Sequence, residues 1–446
     1  MTTSQTIQKD LPRSVVDRLT AQLRGSGPAA VNVAPATGAA LATLHHCTAD
    51  DVALAFDVAR RAQTTWAATE PAKRTAPFIR FHDRILTDEL ALDIVQAETG
   101  KARAHAFEEA LDAAGVALYY GRRAPRFLAP RRRDGAIPVA TRTQELRQPK
   151  GVVGVISPWN APLSLGIVDI IPALLAGNAV VHKPATQTAL TALYARSVLV
   201  DCGLDPDLWQ IVVGSSTVVG GPLLERADHV CFTGSTSAGR AVAQQAAGRL
   251  ISCCLELGGK NPMLVLDDAD VGKAAKGAVR ACFGHAGQLC IGIERIYVAD
   301  RCYAEFVDRF ARAATELELG VGLGFGYDVG TLANESQLRT VTRHVEDARA
   351  RGATVRVGGN ARPDIGPYYF EPTILEGVTS DMAVYAEETF GPVVSVYRVA
   401  DDAEAVRRAN DSEYGLQASV WTKDIPKGEA IARRALTAMP ISCATI

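Results

Sequence analysis

Hydrophobic residues recur at helical spacing in the first part of the chain. The segment Thr48-Ala-Asp-Asp51 places a hydroxyl and two carboxylates directly before an apolar run that includes Val52 and Phe56, which predicts a capped amphipathic helix. Apolar positions with similar spacing continue between residues 78 and 120. Residues 127–149 then alternate between apolar and polar around Asp134-Gly135, a pattern that predicts an antiparallel excursion.

From Val152 onward, short apolar runs are separated by helix-length segments. We expect four of these runs to be buried strands, at residues 152–156, 179–182, 210–213 and 229–232. Regular alternation of strand and helix predicts a doubly wound parallel sheet, and such sheets bind ligands beyond the carboxyl ends of their strands. A second alternating block, residues 262–422, predicts another α/β domain with strands at 263–266, 295–298 and 393–396.

Composition narrows the class of protein. A chain of 446 residues with 48% hydrophobic and 22% charged residues is expected to form two or more globular domains. The net charge of −2 lacks the basic field that nucleic-acid binding requires, and we interpret Arg131-Arg132-Arg133 as a solvated turn. We expect neither a secretory signal nor a membrane span. Nine cysteines without paired spacing favour a reducing, cytoplasmic location.

Cys290 and Glu256 are the first candidates for chemistry. Cys290 follows the segment Phe283-Gly-His-Ala-Gly-Gln-Leu, although a single cysteine is more often a buried inert side chain than a nucleophile. Glu256 lies between apolar residues and ahead of Gly258-Gly259, where its carboxylate has room to approach a ligand and move. Each feature alone is a weak signal.

Two further candidates follow predicted strands. Pro158-Trp159-Asn160 comes after the first strand, where the Asn160 amide can donate to a developing oxyanion; a turn-closing asparagine is the alternative. Gly234-Ser235 connects a strand to a helix whose free N–H groups can hold a phosphate, although serine is also a common plain helix cap.

Together these segments resemble the aldehyde dehydrogenase superfamily from about residue 30 to 434. The motifs are Pro158-Trp-Asn160, Gly177-Asn-Ala-Val-Val-His-Lys183-Pro, Phe232-Thr-Gly-Ser235, Leu255-Glu256-Leu-Gly-Gly-Lys-Asn-Pro, Gly287-Gln-Leu-Cys290 and Glu387-Glu388-Thr-Phe390-Gly-Pro. The resemblance implies an α/β aldehyde dehydrogenase fold. Its parts are a doubly wound dinucleotide-binding domain (1–126 and 150–257), a β-hairpin for oligomerisation (127–149) and a second α/β catalytic domain (258–434).

The same resemblance implies a role for each candidate. Cys290 is the nucleophile that attacks the aldehyde, Asn160 and the Cys290 N–H stabilise the oxyanion, and Glu256 activates the water that hydrolyses the thioester. The implied cofactor-binding residues are Lys183 and Glu388 at the ribose hydroxyls, Ser235 with Gly234 at the pyrophosphate, and Pro158, Trp159 and Phe390 lining the site.

Thr186 indicates which nicotinamide cofactor is used. Many NAD-preferring relatives carry a glutamate three residues after the ribose-binding lysine, where its charge repels a 2′-phosphate. This chain has Thr186 there, which adds no negative charge and offers a hydroxyl. We therefore expect NADP to be used, with NAD as a second cofactor.

Further stretches resemble NADP-dependent succinate-semialdehyde dehydrogenases, namely residues 149–160, 256–263, 289–298 and 361–367. A carboxylated aldehyde needs a cation in the substrate channel, yet residues 161–169 contain neither Arg nor Lys. Arg295 is a candidate substitute, although we favour a structural salt bridge as its role. Succinate semialdehyde is the expected substrate, and an aromatic or medium-chain aldehyde is the alternative. No metal is expected.

The resemblance ends near Arg434. Family members continue with a strand, a loop that closes the substrate pocket and a last strand that joins a neighbouring subunit, whereas residues 435–446 form an atypical tail with Pro440 where a central strand is expected. We interpret this tail as a truncated or frame-shifted end, with a natural short form as the alternative. The family implies a homo-oligomer, which a missing last strand would affect. An impaired remnant that only binds dinucleotide is one rival, and a CoA-acylating enzyme, disfavoured by Glu256, is another.

Overall fold

Helices dominate the first part of the molecule, as the periodicity predicts. The computed structural model describes residues 10–137, 140–435 and 442–444. Its first elements are α1 Arg13–Thr20, β1 Ala29–Val33, β2 Ala40–His45, α2 Ala49–Ala68, α3 Ala76–Ile85, α4 Glu89–Thr99 and α5 Arg103–Leu128. The predicted cap of α2 is confirmed, because the Thr48 side chain accepts the Asp51 N–H while the Asp51 carboxylate accepts the Thr48 N–H.

The predicted antiparallel excursion is a short exposed hairpin. Its strands are β3 Arg131–Arg133 and β4 Thr143–Glu145. The interpretation of the arginine run as a turn is wrong, since these residues form β3, where Arg133 pairs with Thr143 and forms an ion pair with Glu145. The connection between the strands therefore spans residues 134–142, so the hairpin does not turn tightly at Asp134-Gly135.

A five-stranded parallel sheet follows, with strand order β7-β6-β5-β8-β9. Its elements are β5 Val152–Ile156, α6 Ser164–Ile167, α7 Ile170–Leu175, β6 Ala179–Lys183, α8 Ala189–Asp201, β7 Trp209–Ile211, α9 Gly221–Arg226, β8 His229–Thr233, α10 Thr236–Gly248 and β9 Ser252–Glu256. Strands β6 and β8 flank β5, which creates a crevice beyond the carboxyl end of β5. Because helices cover the sheet, β5 and β6 are almost continuously buried and rich in valine.

The second α/β block contains a seven-stranded sheet with order β12-β13-β14-β11-β10-β15-β16. Its elements are β10 Asn261–Val265, α11 Val271–Phe283, β11 Ile293–Ala299, α12 Asp300–Thr315, α13 Glu335–Ala350, β12 Thr354–Val357, β13 Thr373–Glu376, α14 Ala383–Ala386, β14 Val393–Val399, α15 Asp402–Ala409, β15 Ser419–Trp421, α16 Ile425–Ala432 and β16 Ser442–Ala444. Among the described strands of this sheet, β12 alone pairs antiparallel, and each of the two large sheets has its own hydrophobic core.

The sequence predicts an atypical tail that lacks the family's strand, but the structure contains a strand at the end of the chain. Strand β16 pairs in parallel with β15, with Val420 opposite Cys443. Main-chain hydrogen bonds at a sheet edge depend little on side-chain identity, which accounts for a strand in a segment whose sequence does not resemble the family. Pro440 lies outside the described residues.

Within the described ranges, no helix is long and apolar enough to cross a membrane. In the same ranges, no group of three or more His, Cys, Asp or Glu side chains is arranged to hold a metal ion.

Candidate active site

A cavity of about 320 Å³ lies at the carboxyl ends of β5, β8 and β9, facing the second sheet. Nine of the residues predicted to form the site line it: Pro158, Trp159, Asn160, Gly234, Ser235, Glu256, Cys290, Glu388 and Phe390. Parallel strands end at the same edge of a sheet, which explains how residues 158–160, 234–235 and 256 meet. Gly234 N donates to Glu256 O at 3.0 Å, so two of these ends are directly joined.

Cys290 lies in a loop whose backbone is tightly constrained. His285 and Ala286 both have φ of 54°, in the left-handed region. A side chain at Gly287 would collide with the main chain of Gly391, so only glycine fits at position 287. The Asn261 amide donates to Cys290 O at 2.7 Å, which fixes the cysteine backbone from the other side.

The surroundings of the Cys290 thiol favour its protonated form. Burial, together with the negative charges of Glu388 and Glu256, raises its pKa to about 11. Because this pKa is far above neutral pH, attack on a carbonyl requires a proton acceptor. Glu256 and Glu388 are the carboxylates that line the cavity.

Asn160 is 5% exposed, and a hydrogen bond from one of its two amide hydrogens fixes its side chain. Its Nδ2 donates to Gln288 O at 2.9 Å, which ties the loop after β5 to the loop before Cys290. A side-chain amide has two N–H donors. The second donor has no partner among the described residues and remains for a ligand in the cavity.

Glu388 and Phe390 are held by residues that the sequence did not indicate. Gln337 on α13 donates to Thr389 O at 2.9 Å and to Phe390 O at 2.8 Å, which supports the left-handed φ of 51° at Phe390. The Phe390 ring meets Trp159 edge to face at 5.5 Å. A glutamine on a polar helix carries no sequence signal that separates it from an ordinary surface residue.

Glu388 accepts a hydrogen bond from Gly259 N at 2.9 Å, and burial raises its pKa to about 7. Its carboxylate would clash with any side chain at Gly258. Gly258 therefore makes room for the Glu388 carboxylate, and the N–H of Gly259 holds it.

Lys183 and Thr186 lie outside this cavity, at the end of β6. Lys183 is 6% exposed, and among the described residues its ammonium has no hydrogen-bond or ion-pair partner. Burial lowers its pKa, and a buried cation without a partner is costly unless a ligand supplies an acceptor. Thr186 donates from Oγ1 to Gly214 O at 3.4 Å.

Arg295 does not reach the cavity. It is 3% exposed and donates to main-chain carbonyls, including Lys260 O at 2.8 Å and Ala409 O at 2.9 Å. The hypothesis that Arg295 supplies a substrate-binding cation is wrong, because the guanidinium is already occupied. Among the described residues, Arg295 also forms no salt bridge; its side chain ties the main chain at Lys260 to the C-terminal end of α15.

This fold and this site define a class of enzymes, and the comparisons with known proteins agree. The aldehyde dehydrogenase family model matches residues 24–440, and the chain belongs to that family. This match extends beyond residue 434, where the motif-based resemblance ended.

Among individual relatives, the chain is 51% identical to a protein provisionally named NADP(+) succinate-semialdehyde dehydrogenase of Mycolicibacterium smegmatis, over 89% of this chain and 77% of that protein. It is 34% identical to the mitochondrial succinate-semialdehyde dehydrogenase of rice, over 88% and 75% of the two chains. The crystal structure of succinate-semialdehyde dehydrogenase from Burkholderia pseudomallei superposes with a TM-score of 0.88 at 33% identity, covering 93% of this chain and 86% of that one.

Proposed function

We propose that this protein oxidises succinate semialdehyde to its carboxylate with NADP, through a thioester on Cys290. The observation that carries the proposal is the convergence of a thiol, a carboxylate and an amide donor, those of Cys290, Glu256 and Asn160, on one cavity. The cytoplasm remains its expected location.

The described residues fit a dinucleotide. The Lys183 ammonium is buried and has no partner within the part of the chain that the structure describes, and the N-terminus of α10 at Ser235 presents N–H groups suited to a pyrophosphate. A side chain at Gly234 would lie 2.8 Å from the Phe232 ring, so the approach to α10 requires glycine. Lys183 and Glu388 would hold ribose hydroxyls, with Pro158, Trp159 and Phe390 lining the site. When bound, the nicotinamide accepts the hydride that the aldehyde carbon loses.

Cys290 carries the covalent chemistry in this proposal. Its sulfur attacks the aldehyde carbon as a cavity carboxylate takes the thiol proton, forming a thiohemiacetal. The free N–H of Asn160 and the Cys290 N–H donate to the oxyanion. After oxidation to the thioester, Glu256 takes a proton from water, which attacks the acyl carbon and releases the carboxylate and the thiol.

The substrate proposal is supported by the names of the relatives. A second candidate, a neutral aromatic or medium-chain aldehyde, is favoured by one observation: no described residue lining the cavity is Lys or Arg. Steady-state kinetics with succinate semialdehyde, butanal and benzaldehyde, each with NADP and NAD, separate the two. We expect the largest kcat/KM with succinate semialdehyde and NADP. Turnover of the neutral aldehydes alone would contradict the substrate proposal, and NADP binding without any turnover would favour a remnant.

Thr186 is the residue that we propose permits NADP. Replacing it with glutamate places a negative charge against the 2′-phosphate, and this repulsion costs several kcal/mol. The ratio of kcat/KM with NADP to kcat/KM with NAD should therefore fall by about 10²-fold or more. Thr186→Val, which removes the hydroxyl without adding charge, is the matched control, with a change of about 5-fold at most. An unchanged ratio in Thr186→Glu would place the 2′-phosphate elsewhere.

We also propose the domain division inferred from the sequence, with assembly through residues 127–149. The two large sheets support a division after residue 257. Strand β3 of the hairpin is fully exposed, and an exposed edge is suited to pairing with another subunit.

A further inference from the structure

A buried cluster of charged and imidazole side chains adjoins the loops that carry Asn160 and Cys290. At its centre is Lys101, whose side chain is 5% exposed and forms an ion pair with Glu109, which is 2% exposed. Neither residue lines the cavity. Burying both charges is costly unless their remaining hydrogen-bonding groups are satisfied, so the partners of this pair indicate what it holds in place.

The ammonium of Lys101 has three N–H donors, and three acceptor atoms lie around it. Besides the Glu109 carboxylate, it donates to Asn160 O at 2.7 Å and to His285 Nδ1 at 3.2 Å. Asn160 lies in the loop after β5, and His285 belongs to the left-handed turn before Cys290. A single cation therefore joins the loop of the proposed oxyanion donor to the loop of the proposed nucleophile.

Glu109 secures the other end of the Asn160 loop. Its Oε2 accepts the main-chain N–H groups of Leu163 at 2.9 Å and Ser164 at 3.3 Å, where α6 begins. With Lys101 on the Asn160 carbonyl, the ion pair holds both ends of the segment from Asn160 to Ser164. With the main chain held in this way, the hydrogen bond to Gln288 O orients the Asn160 side chain.

The His285 side of the cluster is also satisfied. Its Nε2 faces Glu108 Oε2 at 3.2 Å, its main-chain N–H donates to His105 Nδ1 at 3.2 Å, and the two imidazoles stack at 4.5 Å. Burial and the charge of Lys101 lower the pKa of His285 to about 4. The ring is thus neutral at neutral pH, with Nδ1 free to accept from Lys101.

We propose that Lys101 is a positioning residue for aldehyde oxidation: together with Glu109, it fixes the Asn160 amide and the Cys290 sulfur relative to each other. The inference rests on the proposed function, because it concerns the rate at which Cys290 and Asn160 act. Misplacement of reacting groups by about 1 Å lowers rates by about 10²-fold. Loss of Lys101 should therefore reduce kcat far more than it affects NADP binding, because Lys183 and Ser235, the proposed ribose and pyrophosphate contacts, lie on β6 and before α10.

The test is the double variant Lys101→Met/Glu109→Gln, which removes both charges and leaves no unpaired buried ion. We expect kcat for aldehyde oxidation to fall by about 10- to 100-fold, with the Kd for NADP within about 3-fold of wild type. The matched control is Arg103→Met/Asp93→Asn. That pair is equally buried, and its guanidinium bonds to Asp93 and Gln96 rather than to either catalytic loop. The control is expected to retain kcat within about 3-fold once folded.

A second measurement separates positioning from general stability. In an Asn160→Ala background, adding Lys101→Met/Glu109→Gln should lower the residual rate of reduced-cofactor formation by less than about 3-fold, because both sets of changes act on the same step. A fully additive loss, an unchanged kcat in the double variant, or an equal loss in the Arg103/Asp93 control would each overturn the proposal.

If the double variant does not fold, the kcat of the single variant Glu109→Gln tests the proposal instead. It retains the Lys101 contact with Asn160 O but loses the ion pair, and an unchanged kcat would overturn the proposal. A wild-type protein that oxidises no aldehyde would instead contradict the proposed function, so the two failures are distinguishable.

Discussion

Replacement of Cys290 by alanine is expected to lower aldehyde oxidation by about 10³-fold or more, because without the sulfur no thiohemiacetal forms and no thioester follows. The sulfur lies in the cavity with Asn160 and Glu256, whereas Lys183 and Ser235, which we propose bind a ribose hydroxyl and the pyrophosphate, lie at the end of β6 and before α10. NADP affinity should therefore stay near the wild-type value. Stopped-flow measurement of reduced cofactor, with the Kd for NADP from fluorescence titration, separates the two quantities.

The matched control for this change is Cys302→Ala. Cys302 is also buried, but its thiol lies on α12 against the carbonyls of Leu266 and Asp267. Its loss should lower thermal stability while leaving kcat within about 2-fold once the protein is folded. Substantial dehydrogenase activity in Cys290→Ala would contradict covalent catalysis, and equal losses in both variants would indicate a folding defect.

Strand positions and the convergence of the site were accessible from the sequence because both follow from short-range patterns. Continuous valine-rich runs mark strands that are buried on both faces, as in β5 and β6. The carboxyl ends of such strands share one edge, which places Asn160 and Ser235 together; Glu256 ends a partly exposed strand that carries no such pattern, and the family resemblance alone assigned it to the site.

Contacts that depend on tertiary structure were not accessible. Lys101 precedes Asn160 by almost sixty positions, and nothing in its neighbourhood marks it as buried. Arg295 shows the converse error: an arginine near the nucleophile in sequence suggested a substrate contact, but its guanidinium donates to main-chain carbonyls and to the Tyr297 hydroxyl instead. Long cationic side chains find partners wherever the packing places carbonyls, which sequence spacing does not determine.

The C-terminal strand was missed for a related reason. Residues 442–444 carry no valine-rich pattern, yet they pair with β15. An unpaired sheet edge offers the same row of N–H and C=O groups to any extended segment, so local sequence could not decide whether the tail would pair.

Replacement of Glu256 by glutamine is expected to separate the two halves of the proposed reaction. Glutamine keeps the shape of the side chain but cannot take a proton from water, so the thioester on Cys290 should form and then persist. We expect a burst of reduced cofactor near one equivalent per active site, followed by a steady-state rate lowered by about 10²- to 10⁴-fold. Rapid-mixing absorbance gives both phases, and mass spectrometry of the quenched protein should detect the acyl group on Cys290.

Adding hydroxylamine to the Glu256→Gln assay tests for the thioester directly, because hydroxylamine attacks a thioester without needing a base to activate it. Turnover of Glu256→Gln should recover in its presence, with a hydroxamate as product. Asp169→Asn is the matched control, since burial and the charge of Glu256 raise the pKa of this neighbouring carboxyl to about 6; its steady-state rate should stay within about 5-fold of wild type. Glu256 ends an edge strand with its side chain exposed, so water has direct access to it. A Glu256→Gln protein that loses the burst as well would show that this carboxylate acts before the thioester forms, as the acceptor of the Cys290 proton.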